Sequence, residues 1–376
     1  MEGIVLALFV CLILALVTKR YSLPPIPFYI LGGILIGKSG LALVTSDEIS
    51  HFFAQMGLIF LLFFMGLELR LDRIVQNPTV VVTSGIIELT IDMGVGFVAA
   101  YLLGFSLMDS FVIASAFYVT STALAITSLI ENRKLMMREA ETIIWLMVFD
   151  DLVLIIILAV LAAANQNIIF LFLKIAAALA IMYYLAKYGK EFMVGILDRS
   201  DELPLLFTFG AVLTTASFAM YVGIPETLLV IALGIALGTT DPDAFEQHAR
   251  PFRDVFLVVF FVFFGVTVDL TGQMDFFVVG IICLLAILSK MFSGFLIGLF
   301  VHGSALSGIE IGGSIIARGE FSIALASLYG SPPVAAIIAV MVVVTSIVGS
   351  FTAKYTGRLR RWMSSPGRRA AHRRVH

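Results

Sequence analysis

Between residues 3 and 355 the chain is a succession of apolar runs, at about 3–18, 26–37, 51–67, 78–104, 109–130, 139–163, 167–186, 203–221, 225–239, 252–268, 276–302, 308–328 and 333–355. Each is bounded by charge, proline or glycine, and one membrane crossing takes about 20 residues of helix. The pattern predicts an all-α polytopic membrane protein with thirteen transmembrane helices. The second and ninth runs are short for a bilayer, so neighbouring helices are expected to shield their ends. Only 13% of the residues are charged, against roughly 25% in soluble domains, which excludes a water-soluble globule. A net charge of −2 supplies no basic field for nucleic acid. Cys11 and Cys283 lie inside apolar runs, form no disulfide framework and read as packing residues.

Glu2 precedes the first run and Lys19-Arg20 follow it, the reverse of a cleavable signal, so this run is expected to stay as a helix. With the N-terminus outside, the inner segments, Arg70 and Arg73 among them, hold 20 of the 24 lysines and arginines, and the outer loops hold only Lys38. The positive-inside rule then puts the C-terminus in the cytoplasm, in a membrane expected to be a prokaryotic cell membrane. The basic tail 357–376 reads as a stop-transfer anchor, with anionic headgroups or a partner as the alternative, and no soluble regulatory domain is expected after it.

The two halves match at an offset near 200 residues. Gly33-Ile34-Leu35-Ile36-Gly37 pairs with Gly234-Ile235-Ala236-Leu237-Gly238, and Phe63-Phe64-Met65-Gly66 resembles Phe263-Phe264-Gly265. The first half begins outside and the second inside, which predicts two inverted six-helix repeats, 1–163 and 191–356, around a linker helix within 164–190. Inverted repeats with broken helices meeting near the midplane belong to alternating-access transporters. Breaks are expected at Thr120-Ser121-Thr122 in the fifth run and, 199 residues on, near Gly319 in the twelfth.

An ionised aspartate at the centre of a membrane helix costs roughly 2.5–3.5 kcal/mol, so such charges are functional candidates. Asp150 and Asp151 sit mid-span in the sixth run, pointing in different directions at 100° per residue. Lys290, deep in the eleventh run, is the expected counter-charge of one of them. Glu88 and Asp92, one turn apart, are candidates for an ion path or for helix–helix hydrogen bonds. Arg318 and Glu320 flank the second break and are expected to support the half-helices. Lys174 is expected to snorkel, and Glu68 beside Arg70 and Arg73 to be solvated.

The segments Phe63–Arg73, Ser121-Thr122-Ala123-Leu124, Asp150-Asp151, Phe260–Asp269 and Arg318-Gly319-Glu320-Phe321 together resemble the monovalent cation:proton antiporters of the branch containing the Kef-type and Nap-type proteins, over about residues 20–355. The resemblance implies a sodium/proton antiporter-like fold and a homodimer built on runs one to three and eight to ten. It also implies a moving core of runs four to six and eleven to thirteen. It makes Asp151 the ion-binding carboxylate and Asp150 the partner of Lys290. Kef-type proteins usually carry Gln-Asp and a cytosolic nucleotide-binding domain, and this departure points to Na⁺ (or Li⁺) rather than K⁺.

A proton and a dehydrated cation would compete for Asp151, with carbonyls around Thr120-Ser121, the Thr120 hydroxyl and water completing an oxygen shell. Opening of an Asp150–Lys290 pair during the cycle would make exchange electrogenic. A K⁺/H⁺ antiporter is the alternative, and a cation channel is the alternative of another class. An intramembrane aspartyl protease would place its carboxylates on separate helices. No zinc-ligand, phosphate-loop or nucleophile–base constellation is present in the sequence, so neither enzyme chemistry nor a cofactor is expected.

Overall fold

The computed structural model describes residues 2–21, 23–44, 48–69, 78–163, 168–270 and 275–363. Arg70, Arg73 and the tail beyond residue 363 lie outside them, as do the side chains of 357–363. The helices are α1 (Glu2–Tyr21), α2 (Pro25–Ile36), α3 (Glu48–Glu68), α4 (Pro78–Leu102), α5 (Leu107–Tyr118), α6 (Thr122–Glu131), α7 (Arg138–Ala162) and α8 (Ile168–Tyr188). They continue with α9 (Lys190–Leu197), α10 (Leu203–Val222), α11 (Glu226–Gly238), α12 (Pro242–Thr267), α13 (Phe276–His302), α14 (Ala305–Ser314), α15 (Glu320–Tyr329) and α16 (Pro332–Met363).

Local chemistry sets many of these limits. Proline opens α2, α4, α12 and α16, where its missing N–H would have had no intrahelical partner. Ser106, Asp241, Asp275 and Ser304 cap α5, α12, α13 and α14 by accepting the N–H of Asp109, Ala244, Phe277 and Ser307. Among the described residues seven spans are long and apolar enough to cross a membrane: 48–68, 78–102, 107–131 taken as one, 138–162, 169–188, 276–302 and 332–356.

The fifth and twelfth apolar runs are each split in two, as α5 and α6 and as α14 and α15. Two further features were not visible in hydropathy. Helix α12 begins at Pro242, ahead of the apolar run at 252, because Asp241 caps a charged, amphipathic first half and Pro251 is carried inside the helix. Helix α9 is a short amphipathic segment that buries Met193 and Leu197.

The chain divides into two units, each drawn from both halves of the sequence. The first comprises Met1–Lys19, Tyr29–Val75 and Asp151–Val268. Within it α3 packs against α11 and α12, around Phe60, whose ring stacks on Phe209, Phe252 and Phe256 at 5.6–6.0 Å. Backbones touch where side chains are absent: a Cβ on Gly33 would lie 2.9 Å from Gly265 Cα, and one on Gly66 would lie 2.9 Å from Gly234 Cα. Such small-residue contacts are how membrane helices approach closely. The Lys174 ammonium donates to Gly223 O at 3.3 Å, at the carboxyl end of α10, and lies over the Phe170 ring. Glu68 is 3.8 Å from Arg253.

The second unit comprises Arg20–Phe28, Gln76–Asp150 and Asp269–His376. Helix α4 packs on α5 and α13, and α14, α15 and α16 complete the bundle. Ala140, Ile143, Leu146 and Met147 of α7 share an apolar core with Ala125, Leu129, Ile297, Ile311 and Ile315. Buried among these apolar surfaces are Glu88, Asp92, Asp150, Lys290 and Arg318.

Candidate functional site

The two broken segments meet inside the second unit. Helix α5 ends at Tyr118, Val119 turns extended (φ −66°, ψ 121°), and α6 starts behind Ser121 (φ −76°, ψ 102°), whose hydroxyl accepts the N–H of Leu124. Thr120-Ser121 are polar and β-branched or cap-forming residues, which favour leaving the helix. In the partner segment, Ile315 to Gly319 separate α14 from α15. The Ser121 N–H donates to Ala317 O at 2.8 Å. A Cβ on Gly319 would fall 2.5 Å from Ser121 Oγ, so this approach requires glycine.

A break leaves carbonyls at the end of α5 without helical partners, and each of the last three is taken by a donor from later in the chain. Ser322 Oγ donates to Ala116 O at 3.2 Å. The Arg318 guanidinium donates Nε and Nη2 to Phe117 O at 3.1 and 2.7 Å, and Nη1 to Ile316 O. Lys290 Nζ donates to Tyr118 O at 2.5 Å. Two of these donors are cations placed at the negative end of a helix dipole.

Lys290 is fully buried, and its ion pairs run to Glu88 (2.5 Å) and Asp92 (3.4 Å) of α4. The expected partner was Asp150, whose Oδ2 accepts the backbone N–H of Thr120 at 3.3 Å. Thr120 links the two sets of charges, because its hydroxyl accepts from Lys290 at 2.9 Å and donates to Glu88 at 3.3 Å. Ser293, one turn after Lys290, donates to Asp92 at 3.2 Å. Thr120, Ser121, Glu88, Asp92, Asp150, Lys290 and Arg318 are therefore brought together. Asp151 is half-buried on α7 and falls in the first unit. Glu320 takes the first position of α15, where a helix N-terminus favours a carboxylate.

Hydropathy concealed the partner of Lys290. The i, i+4 spacing of Glu88 and Asp92 already put both on one face of α4, and Lys290 and Ser293 share a face of α13. A second buried ion pair, between Lys134 and Glu310, went unnoticed because Lys134 reads as an ordinary inner-loop charge. With all groups ionised, Glu88, Asp92 and Asp150 carry −3 and Lys290 and Arg318 carry +2, leaving a buried surplus of −1.

Broken apolar helices meeting beside buried charges are the architecture of secondary transporters. A family model described as "Sodium/hydrogen exchanger, transmembrane" matches residues 4–358, and the chain belongs to that family of cation/proton antiporters, integral to the membrane. It is 27% identical to the K(+)/H(+) antiporter subunit KhtU of Bacillus subtilis, over 95% of this chain and 94% of that protein. It is 26% identical to the ammonium/H(+) antiporter subunit AmhT of Alkalihalophilus pseudofirmus, over 92% and 90%. Its fold is similar to that of the sodium proton antiporter MjNhaP1 of Methanocaldococcus jannaschii, with a TM-score of 0.71 and 20% identity over 94% of this chain and 96% of that one.

Proposed function

We propose that the protein exchanges protons for a monovalent cation by alternating access, with Asp151, Asp150, Thr120 and Ser121 forming the ion site. The observation that carries this reading is the cluster of three carboxylates, Glu88, Asp92 and Asp150, buried with only two cations, Lys290 and Arg318, where the two broken segments meet. Three buried carboxylates against two cations leave room for one more positive charge, which a proton or a dehydrated cation can supply. Moving the site empty is penalised by the cost of a bare intramembrane charge. Competition of two cations for one charge, combined with that penalty, is sufficient for obligatory exchange. Asp151 carries a second carboxylate to the same turn of α7, and the Thr120 hydroxyl supplies a neutral oxygen of the kind a hard cation requires.

K⁺ and NH₄⁺ are the first cargoes to test, because the relatives KhtU and AmhT, similar over nearly their whole length, are named for them. Na⁺ with Li⁺ is the second reading, carried by Asp150-Asp151 standing where the Kef-type pattern has Gln-Asp. The inverted repeat is supported by the reciprocal glycine contacts: Gly33 and Gly234 are related by an offset of 201 and Gly66 and Gly265 by 199, and each touches the partner of the other. We further propose a homodimer in a prokaryotic cell membrane, with the N-terminus outside and the C-terminus inside.

The test is transport in proteoliposomes carrying an internal pH dye, with K⁺, NH₄⁺, Na⁺ or Li⁺ added in turn. Cation-driven proton movement is expected, and a rate that responds to imposed membrane potential, worth about 2.3 kcal/mol per charge per 100 mV, marks electrogenic exchange. Single-channel currents in planar bilayers would replace the antiporter reading with a channel.

A further inference from the structure

We propose that Lys134 and Glu310 are positioning residues for the cation site, their buried ion pair fixing α6 against α14 and thereby the geometry of Thr120 and Ser121. This rests on the reading of Thr120-Ser121 as part of that site.

Helix α6 ends at Glu131, and Arg133, in the left-handed region at φ 54°, turns the chain so that Lys134 points inward. Lys134 is only 5% exposed, and its ammonium donates to Glu310 Oε1, to Ala353 O and, at 2.9 Å, to Thr356 Oγ1. All three of its protons are used. Glu310 is 1% exposed on α14 and also accepts from Thr356 at 3.2 Å. A buried ion pair of this kind is a weak source of stability compared with apolar packing, so its value lies in fixing a geometry.

Helices α6 and α14 are the halves of the two broken segments that lead away from the same hydrogen bond. At one end Ser121 N–H meets Ala317 O, and at the other Lys134 meets Glu310. Ten residues of α6 lie between, about 15 Å of helix. A rod pinned at both ends transmits a shift at one to the other. The following helix α7 is tied to the same region, as Ser307 Oγ of α14 donates to Glu139 at 2.7 Å and Thr142 Oγ1 bonds His302 Nε2 of α13 at 2.9 Å.

The experiment compares wild type with Lys134→Met, Glu310→Gln and the double variant Lys134→Met with Glu310→Leu, which leaves no unpaired charge. Exchange is measured in proteoliposomes as apparent KM and maximal rate per folded protein, and cation affinity is read separately from K⁺-, NH₄⁺- and Na⁺-induced thermal shifts in detergent. The expected result is a KM and a thermal-shift midpoint raised about fivefold or more, a typical size for coupling between distant sites, with the maximal rate within about twofold of wild type. Should the single variants not fold, the double variant decides. A folded double variant with wild-type affinity overturns the proposal, as does a lowered melting temperature with an unchanged midpoint. A wild type that binds cations without exchanging them overturns the proposed function and leaves the affinity comparison intact.

Discussion

Gly319 stands so close to Ser121 that a methyl group on it would lie 2.5 Å from the serine hydroxyl oxygen and 2.6 Å from its Cβ. Neither neighbour can retreat easily, because Ser121 caps α6 and its N–H is held by Ala317. Gly319→Ala therefore has to push the two linkers apart, an overpacking cost of about 1–3 kcal/mol. The variant is expected to reach the membrane in normal amount and to exchange at least about tenfold more slowly, as for other small misplacements of a binding geometry. A wild-type rate in proteoliposomes would show that the spacing of the linkers does not matter to transport.

The Lys290 pairs make a prediction about stability that differs from one about transport. Lys290→Met leaves Glu88 and Asp92 buried without their shared cation, and breaking a buried pair from one side costs about 3–5 kcal/mol. Adding Glu88→Gln should recover part of that loss, since one carboxylate then remains where two stood. Melting temperatures in detergent for the four members of this cycle check it. Equal destabilisation by the single and the double variant would mean that Glu88 is not the principal partner of Lys290.

Asp151→Asn is expected to abolish exchange while the protein still inserts, because an amide cannot alternate between a proton and a cation. Asp151→Glu should retain weak activity. Full transport by the asparagine variant would move the ion site wholly onto Asp150 and its neighbours.

Thr120→Val keeps the shape of the side chain and removes the hydroxyl that joins Lys290 to Glu88. A lost hydrogen bond to a charged group is worth about 1.5–3 kcal/mol. The expected readout is a raised apparent KM for the cation with a smaller change in maximal rate, measured by titrating the cation in proteoliposomes. An unchanged KM would leave the ion to backbone and water oxygens.

How much of this was legible in the sequence depended on which physical signal carried it. Apolar length marked the seven long spans among the described residues; polar Thr120, Ser121 and Thr122 marked the first interruption, and the second was marked by Gly319 at an offset of 199 from Thr120. Asp150 and Lys290 were conspicuous as charges in lipid, but hydropathy gives no distance between helices, and the ion pairs of Lys290 with both acids of α4 were not visible in it. The start of α12 was hidden because a charged half-helix capped by Asp241 has no apolar run to announce it. Lys134 was the harder case: a lysine two residues beyond an asparagine C-cap looks solvated until the fold supplies Glu310.

The contacts of Gly33 with Gly265 and of Gly66 with Gly234 bear on how such a chain can change over generations. At each of the four positions a side chain would strike backbone on the opposing helix, which cannot rotate out of the way as a side chain can. A substitution there has no remedy within its own helix, and compensation must come from the facing one. Suppressors of Gly33→Ala should then arise on α12 and those of Gly66→Ala on α11, binding distant stretches of the gene into two inherited pairs.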